Sequence, residues 1–241
     1  MKEILLILVL LALLGYLVLP ETPALLPRKR VCDYLVDGSV HEDIPSALAR
    51  GTRLIEVHVY SDEQDQPVVS KKPLNDGYDY AEDNITFETV CIDIANDAFP
   101  SKDPLVLSIV SHTDKTIVLD RVCEHLRTIT RRHLTSEKDI HEMPLDMFAN
   151  KLLIVSGGSI HGTQLEAMTN LNWNDTSLRR LTHGQAVHSR DEDELHKFTR
   201  DSIVLVAPDE HEHAYLANPN HSKALGCQWT FGGKTPGFVA R

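Results

Sequence analysis

The chain has 241 residues, 42% of them hydrophobic, and a formal net charge of −11. That length suits one domain with a sizeable core, and that charge excludes a general nucleic-acid binder and argues against broad adsorption to anionic lipid, since both select basic surfaces. The four cysteines, Cys32, Cys91, Cys123 and Cys227, form no Cys-x-x-Cys pair, so neither structural zinc nor a disulfide framework is expected.

The first feature in chain order is apolar. Residues 4–19 carry no charge and would span about 24 Å as a helix at ~1.5 Å per residue. Pro20 is a stop or kink for such a helix. Only Lys2, beside Glu3, precedes the run, and no clear small-x-small cleavage site follows it. Those two features favour a retained single-pass anchor over residues 1–20 rather than a cleaved signal peptide. Residues 21–30 read as a linker that ends in Arg28-Lys29-Arg30. The basic triplet places the globular part on the cytoplasmic side of the membrane. Three N-x-[ST] triplets, at Asn84, Asn174 and Asn220, would suit the opposite side, but such triplets arise easily by chance.

From Val31 to the end the chain reads as one domain, 31–241, in which strand-like and helix-like runs alternate. Residues 31–36 are a short strand candidate, and 41–49 look helical up to Gly51. Residues 54–60 alternate as a strand, and 67–70 make another short one. Residues 86–98 place Phe87, Val90, Ile94 and Ala98 on one helical stripe. Residues 104–110 form a continuous apolar run that suits a strand buried on both faces. The longest helix candidate is 115–133, whose basic end suits the helix dipole. Residues 151–156 and 202–208 are further buried strands, with an acidic-start helix at 191–200 between them and a last strand at 227–231. This alternation predicts an α/β domain with a mainly parallel sheet, although periodicity alone leaves an open sheet and a closed barrel as alternatives.

Four blocks in order carry a resemblance. "SVHEDIPSALARGTRLIEVHVYSDEQDQPVVS", "NITFETVCIDIANDAFPSKDPLVLSIVSH", "MPLDMFANKLLIVSGG" and "GCQWTFGGKTPG" resemble successive segments of the phosphoinositide-specific phospholipases C. The resemblance covers most of residues 31–237 and is weak between Ser159 and Ser189. It implies a (β/α)8 barrel of the TIM type and, in the family, phosphodiester cleavage by two histidines around a calcium ion held by Asn, Glu and Asp.

Matched position by position, this sequence departs from that chemistry. The family's first His-Asn pair aligns with Val31 and Cys32, its second His with Lys71, and its calcium carboxylates with Glu56, His58 and Val110. The phosphate-gripping lysines fall near Val155 and Gly157, and a substrate-side Arg and Tyr near Leu205 and Ala207. Only Glu56 keeps its type. The resemblance therefore implies a degenerate member with no catalytic residue, no cofactor and no bound calcium, since one carboxylate cannot supply the six to eight oxygens that calcium takes.

Thirteen histidines leave one metal arrangement to consider, with His58, His112, His211 and His213 near Glu56 and Asp114. Scattered surface histidines on an acidic loop are the plainer reading. Lys71-Lys72 would suit an anionic headgroup, although adjacent lysines are more often simply solvated. Two function classes follow. One is a membrane-anchored pseudoenzyme, a binding or scaffolding module with an unidentified protein partner, or a structural part of a membrane-containing assembly such as a viral particle. The other is a phosphodiesterase or metal-dependent hydrolase with a rewired site on the same barrel.

Overall fold

Eight strands run parallel and side by side in the order β10-β11-β12-β1-β2-β7-β8-β9. The computed structural model from which this order is read describes residues 28–40, 43–70, 73–74, 79–80, 84–209, 218–233 and 236–241. The strands are β1 (Tyr34–Val40), β2 (Leu54–Ser61), β7 (Leu105–Ser111), β8 (Leu152–Ser156), β9 (Leu171–Asn172), β10 (Leu178–Thr182), β11 (Ile203–Ala207) and β12 (Trp229–Phe231). Among the described residues no ladder joins β9 to β10, so the (β/α)8-type barrel is closed except at that seam. The buried strands expected at 54–60, 104–110, 151–156 and 202–208 are β2, β7, β8 and β11. The expected membrane span at residues 4–19 and the linker to Pro27 lie outside the described residues. Among the described residues no helix is long and apolar enough to cross a membrane.

Strand periodicity sorts the barrel into two cores. On β2, Leu54 joins an interior cluster with Val36, Val40, Val106, Leu153, Val155, Leu205 and Trp229. The residues between face outward, where Ile55, Val57 and Val59 pack beneath the helices with Leu107, Ile109 and Ile154. Burying each such side chain contributes about 1.5–3 kcal/mol. The covering helices α1 (Ile44–Ala49), α2 (Phe87–Asp97) and α3 (Thr116–Ile129) bring Leu48, Val90, Ile94, Val122 and Leu126 to that outer layer. Sequence explains their starts. Asp43 caps α1 by accepting from the Ser46 amide, and Thr86 caps α2 by accepting from the Thr89 amide.

On the second half of the barrel the helices are shorter: α4 (Gln164–Met168), α5 (His183–Val187), α6 (Glu192–Phe198) and α7 (Pro219–Ala224). Two buried amides tie the strands there. The Gln228 Oε1 accepts from the Val204 amide while its Nε2 donates to the Thr199 and Ser202 carbonyls. The Asn170 Oδ1 accepts from the Ile154 amide, and its Nδ2 donates to the Thr135 and Glu137 carbonyls. The antiparallel additions β3 (Pro67–Ser70), β4 (Pro73–Leu74), β5 (Asp79–Tyr80), β6 (Asn84–Thr86) and β13 (Phe238–Ala240) decorate the barrel, with β3 on β2, β6 on β3 and β13 on β1.

The amino-terminal end of the barrel has a floor. Residues 131–151 cross it and send Ile140 and Phe148 into the interior cluster, with Met143 and Leu145 packed against it. The entering chain is strapped along that floor. The Val31 amide donates to the Met143 carbonyl, the Leu145 amide to the Lys29 carbonyl, and Arg30 bridges Pro144.

Two elements differ from expectation. Residues 31–33 are a 3-10 turn rather than the start of a strand, and β1 begins at Tyr34. The Asp33 carboxylate accepts from the Arg30 amide and guanidinium, which holds the turn and delays the strand by three residues. The helix expected at 115–133 ends at Ile129. There the Thr130 hydroxyl donates to the Leu126 carbonyl, and a 3-10 turn at Arg131–His133 follows.

Candidate functional site

Glu56 is the buried carboxylate at the middle of the barrel. It has the same parity on β2 as the interior residue Leu54, and its side chain is 0% exposed. Its register partners are Val40 on β1 and Ser108 on β7. An isolated carboxylate there would be prohibitive, and three neighbours compensate. Arg180, from β10, donates through its Nη2 to Oε1 at 2.9 Å and through Nε to Oε2 at 3.4 Å. The Ser108 hydroxyl donates to Oε2 at 2.9 Å. The His58 Nε2 lies 3.3 Å from Oε1. Burial alone would raise the Glu56 pKa, but the Arg180 charge and the His58 hydrogen bond overcome it and hold the carboxyl at about 2.

A second histidine extends this centre toward the carboxyl ends of the strands. The His58 Nδ1 and the His112 Nε2 are 2.8 Å apart, and the His112 ring stacks on Tyr60 with centroids 4.4 Å apart. Because Glu56 is ionised, His58 donates to it through Nε2. A neutral His58 then accepts at Nδ1 from the His112 Nε2–H, so the three groups form one directed chain, His112 to His58 to Glu56. On the other side the Arg180 guanidinium faces the Trp173 ring at 5.5 Å. Trp173 in turn lies over Gly157, where a β-carbon would sit 2.5 Å from the indole Nε1. Gly157 is therefore a place where only a hydrogen leaves room for the ring that backs the arginine.

The sequence-matched positions fall in three groups. Glu56, His58, Val110 and Val155 belong to β2, β7 and β8 around the centre, and Gly157 lies beneath Trp173. Leu205 and Ala207 are interior positions of β11. Val31 and Cys32 are elsewhere. They are fully buried in the turn that precedes β1, at the floor end, whereas the β1 residue level with Glu56 is Val40. The correspondence of Val31 and Cys32 with the family's first His-Asn pair is therefore corrected. The three-residue delay of β1 moves the site-facing end of the strand to Val40, and the next residues in sequence are His41 and Glu42. His41, Glu42, Lys71, His211 and His213 lie outside the described residues.

Of the metal arrangement weighed from sequence, the structure brings Glu56, His58 and His112 together but through hydrogen bonds. Among the described residues no group of three or more His, Cys, Asp or Glu side chains is disposed to hold an ion. Among the described residues calcium finds no fit here: the carboxylate at the centre, Glu56, is already bonded to Arg180, Ser108 and His58, and Val110, in register with His58, offers no oxygen from its side chain. Sequence reasoning missed Arg180, Ser108 and Trp173. Arg180 and Trp173 lie in the stretch where the resemblance is weakest, and Arg180 meets Glu56 across 124 residues of chain.

The family model "Phosphatidylinositol-specific phospholipase C, X domain" matches residues 31–156. No curated protein matches the chain. Among solved structures, PLC21 of S. officinalis is similar with a TM-score of 0.64 at 13% identity, over 84% of this chain and 33% of that one. The chain thus spans about a third of the length of that relative. A calcium-dependent phosphatidylinositol-specific phospholipase C from Streptomyces antibioticus gives a TM-score of 0.56 at 12% identity, over 88% of this chain and 99% of that one. One from a Pseudomonas species gives 0.50 at 11% identity, over 88% and 96%. At these identities the likeness is one of fold.

Proposed function

The chain belongs to the phosphatidylinositol-specific phospholipase C X-domain family, and from that membership we propose that it is a calcium-free, non-hydrolysing barrel held at a membrane by residues 4–19. It serves there as a binding or scaffolding module for a protein partner or within a membrane-containing assembly such as a viral particle. The observation that carries this reading is the bond between Arg180 and Glu56. A permanent guanidinium neutralises the carboxylate that the resemblance assigns to calcium, which leaves that oxygen pair a poor ligand for a hard cation. His58 is tied to Glu56 on one side and to His112 on the other, so neither of its ring nitrogens is turned to a substrate.

A second reading rests on that same pair of histidines. The chain from His112 through His58 to Glu56 has the form of a proton relay, and His41 follows β1 directly in sequence. A phosphodiesterase that works without metal would use these groups.

One experiment separates the two. The full chain is assayed on phosphatidylinositol vesicles with calcium and with chelator, beside calcium titration calorimetry. No release of inositol phosphate and no heat of calcium binding are expected. Calcium-dependent release abolished by Glu56→Ala would overturn both the calcium-free site and the inactive barrel. Release that persists in chelator and is lost in His58→Ala or His112→Ala would establish the second reading instead.

A further inference from the structure

The two ends of the barrel differ in charge. Residues that lead into parallel strands lie at the amino-terminal end, and residues that leave them lie at the mouth. Around the floor the exposed side chains include Arg50, Lys102, Arg127, Arg131 and Arg132. Exposed Arg28 and Lys29 run along the same floor. Of the acidic groups at this end, Asp146 pairs with Arg28, and Asp33 and Asp201 pair with Arg30, while Asp97, Asp103, Glu137, Asp139 and Glu142 are exposed there too. The mouth is acidic. Asp62 and Glu63 follow β2, Asp114 follows β7 beside Lys115, which pairs with Asp65, and α6 opens with Glu192 and Asp193. The net charge of −11 hides this division.

We infer that the floor end of the barrel is a docking face for the anionic headgroups of the membrane in which the chain is anchored, so that the mouth around Glu56 points away from that membrane. The inference rests on the anchoring proposed above, and two observations support the direction. The first is charge complementarity, because basic side chains next to a membrane span gain about fivefold in occupancy each at an anionic surface. The second is where the described chain begins. Arg28 is fixed on the floor, and eight residues, 20–27, separate it from the apolar run. Fully extended they reach at most about 29 Å. β2 alone, at eight residues, is about 26 Å long, and the floor and the rim loops add to the barrel's height. A tether that begins beneath the floor is too short to lay the mouth flat on the same bilayer. The mouth is left to a ligand that arrives from the aqueous side.

The test uses the full chain reconstituted in phosphatidylcholine vesicles, with and without phosphatidylserine, that carry a headgroup-attached fluorescence quencher. The four native cysteines are buried, so single probes are placed by Ser136→Cys on the floor and Gln64→Cys at the mouth, both exposed positions. The probe at 136 is expected to be quenched severalfold more than the probe at 64, with the difference largest in phosphatidylserine. Arg131→Glu combined with Arg132→Glu should reduce the quenching at 136 by severalfold, and so should raising the salt toward 1 M, where the Debye length falls to about 3 Å. Quenching at 64 equal to or greater than that at 136 in vesicle-bound protein overturns the inference and leaves the anchor intact. Release of the chain from vesicles by alkaline carbonate instead removes the anchor, and with it the premise.

Discussion

Two buried carboxylates lie on adjacent strands of this barrel, and each is matched by a cation from the far half of the chain. Asp37 on β1 faces outward. It meets the Lys223 ammonium of α7 at 2.6 Å and accepts from the Thr230 hydroxyl of β12. Gly233 passes so close that a β-carbon there would overlap the carboxylate. Glu56 on β2 faces inward and meets a planar guanidinium, a hydroxyl and an imidazole that leads on to a second imidazole. The first arrangement joins β1, β12 and α7 on the outer face of the barrel. The second extends toward the mouth. Burial of a charge with partners therefore does not by itself mark a site; what separates the two is the face on which each lies, Asp37 beneath the helices and Glu56 in the lumen.

The largest expected effect of breaking either pair is on stability. Arg180→Ala should cost about 3–5 kcal/mol in urea denaturation, because it removes the permanent cation from a buried carboxylate. A change below about 1 kcal/mol for Arg180→Ala would show that Glu56 is reached by water, and the contrast with Asp37 would fail. Next in size is a pH effect specific to Glu56. Its carboxyl is held at about 2 against an unperturbed value of 4.5, so the stabilisation is fully present above about pH 4.5 and is lost as the pH falls toward 2, by about 3 kcal/mol in all. Glu56→Gln should flatten that acid limb. An acid limb in Glu56→Gln as steep as that of the unmodified protein would assign it to other carboxylates.

The smallest effect concerns the backing of the arginine. Gly157→Ala should displace Trp173 and cost about 1–3 kcal/mol, with a shift in tryptophan emission and no change at the Asp37 pair. Unchanged emission would place the added methyl away from the indole.

Much of the barrel was legible because β7, β8 and β11 are apolar runs of strand length and β2 alternates as a strand. The seam was not. β9 has two residues, and β10 reads Leu178-Arg179-Arg180-Leu181-Thr182, a pattern whose arginines look solvated from sequence. One of them is: Arg179 pairs with Glu194 on the surface. The other, one residue on, turns inward by strand alternation, and nothing local announces it because its partner is 124 residues away. Glu56 and His58 were found through the resemblance and His112 as a weighed metal ligand, but their mutual bonding needed the register of β2 against β7. Val31 and Cys32 were misplaced because an apolar pair at the start of a strand and one in a turn before it read alike. The turn is set by Asp33 and the Arg30 backbone.

The missing ladder between β9 and β10 gives the Arg180 bond a mechanical meaning. Seven ladders hold eight strands, so the sheet has two edges that meet without backbone bonds, and a barrel with such a break opens there first. Trp173 follows one edge and Arg180 belongs to the other, and their contact crosses the gap. From Arg180 the ion pair then spans the lumen to β2. The strands β10, β11 and β12, joined to the first half on one side by the β12–β1 ladder, are thus latched to it again at the seam and through the middle, and a proton or an anion that unfastens Glu56 from Arg180 frees the open edge at β10.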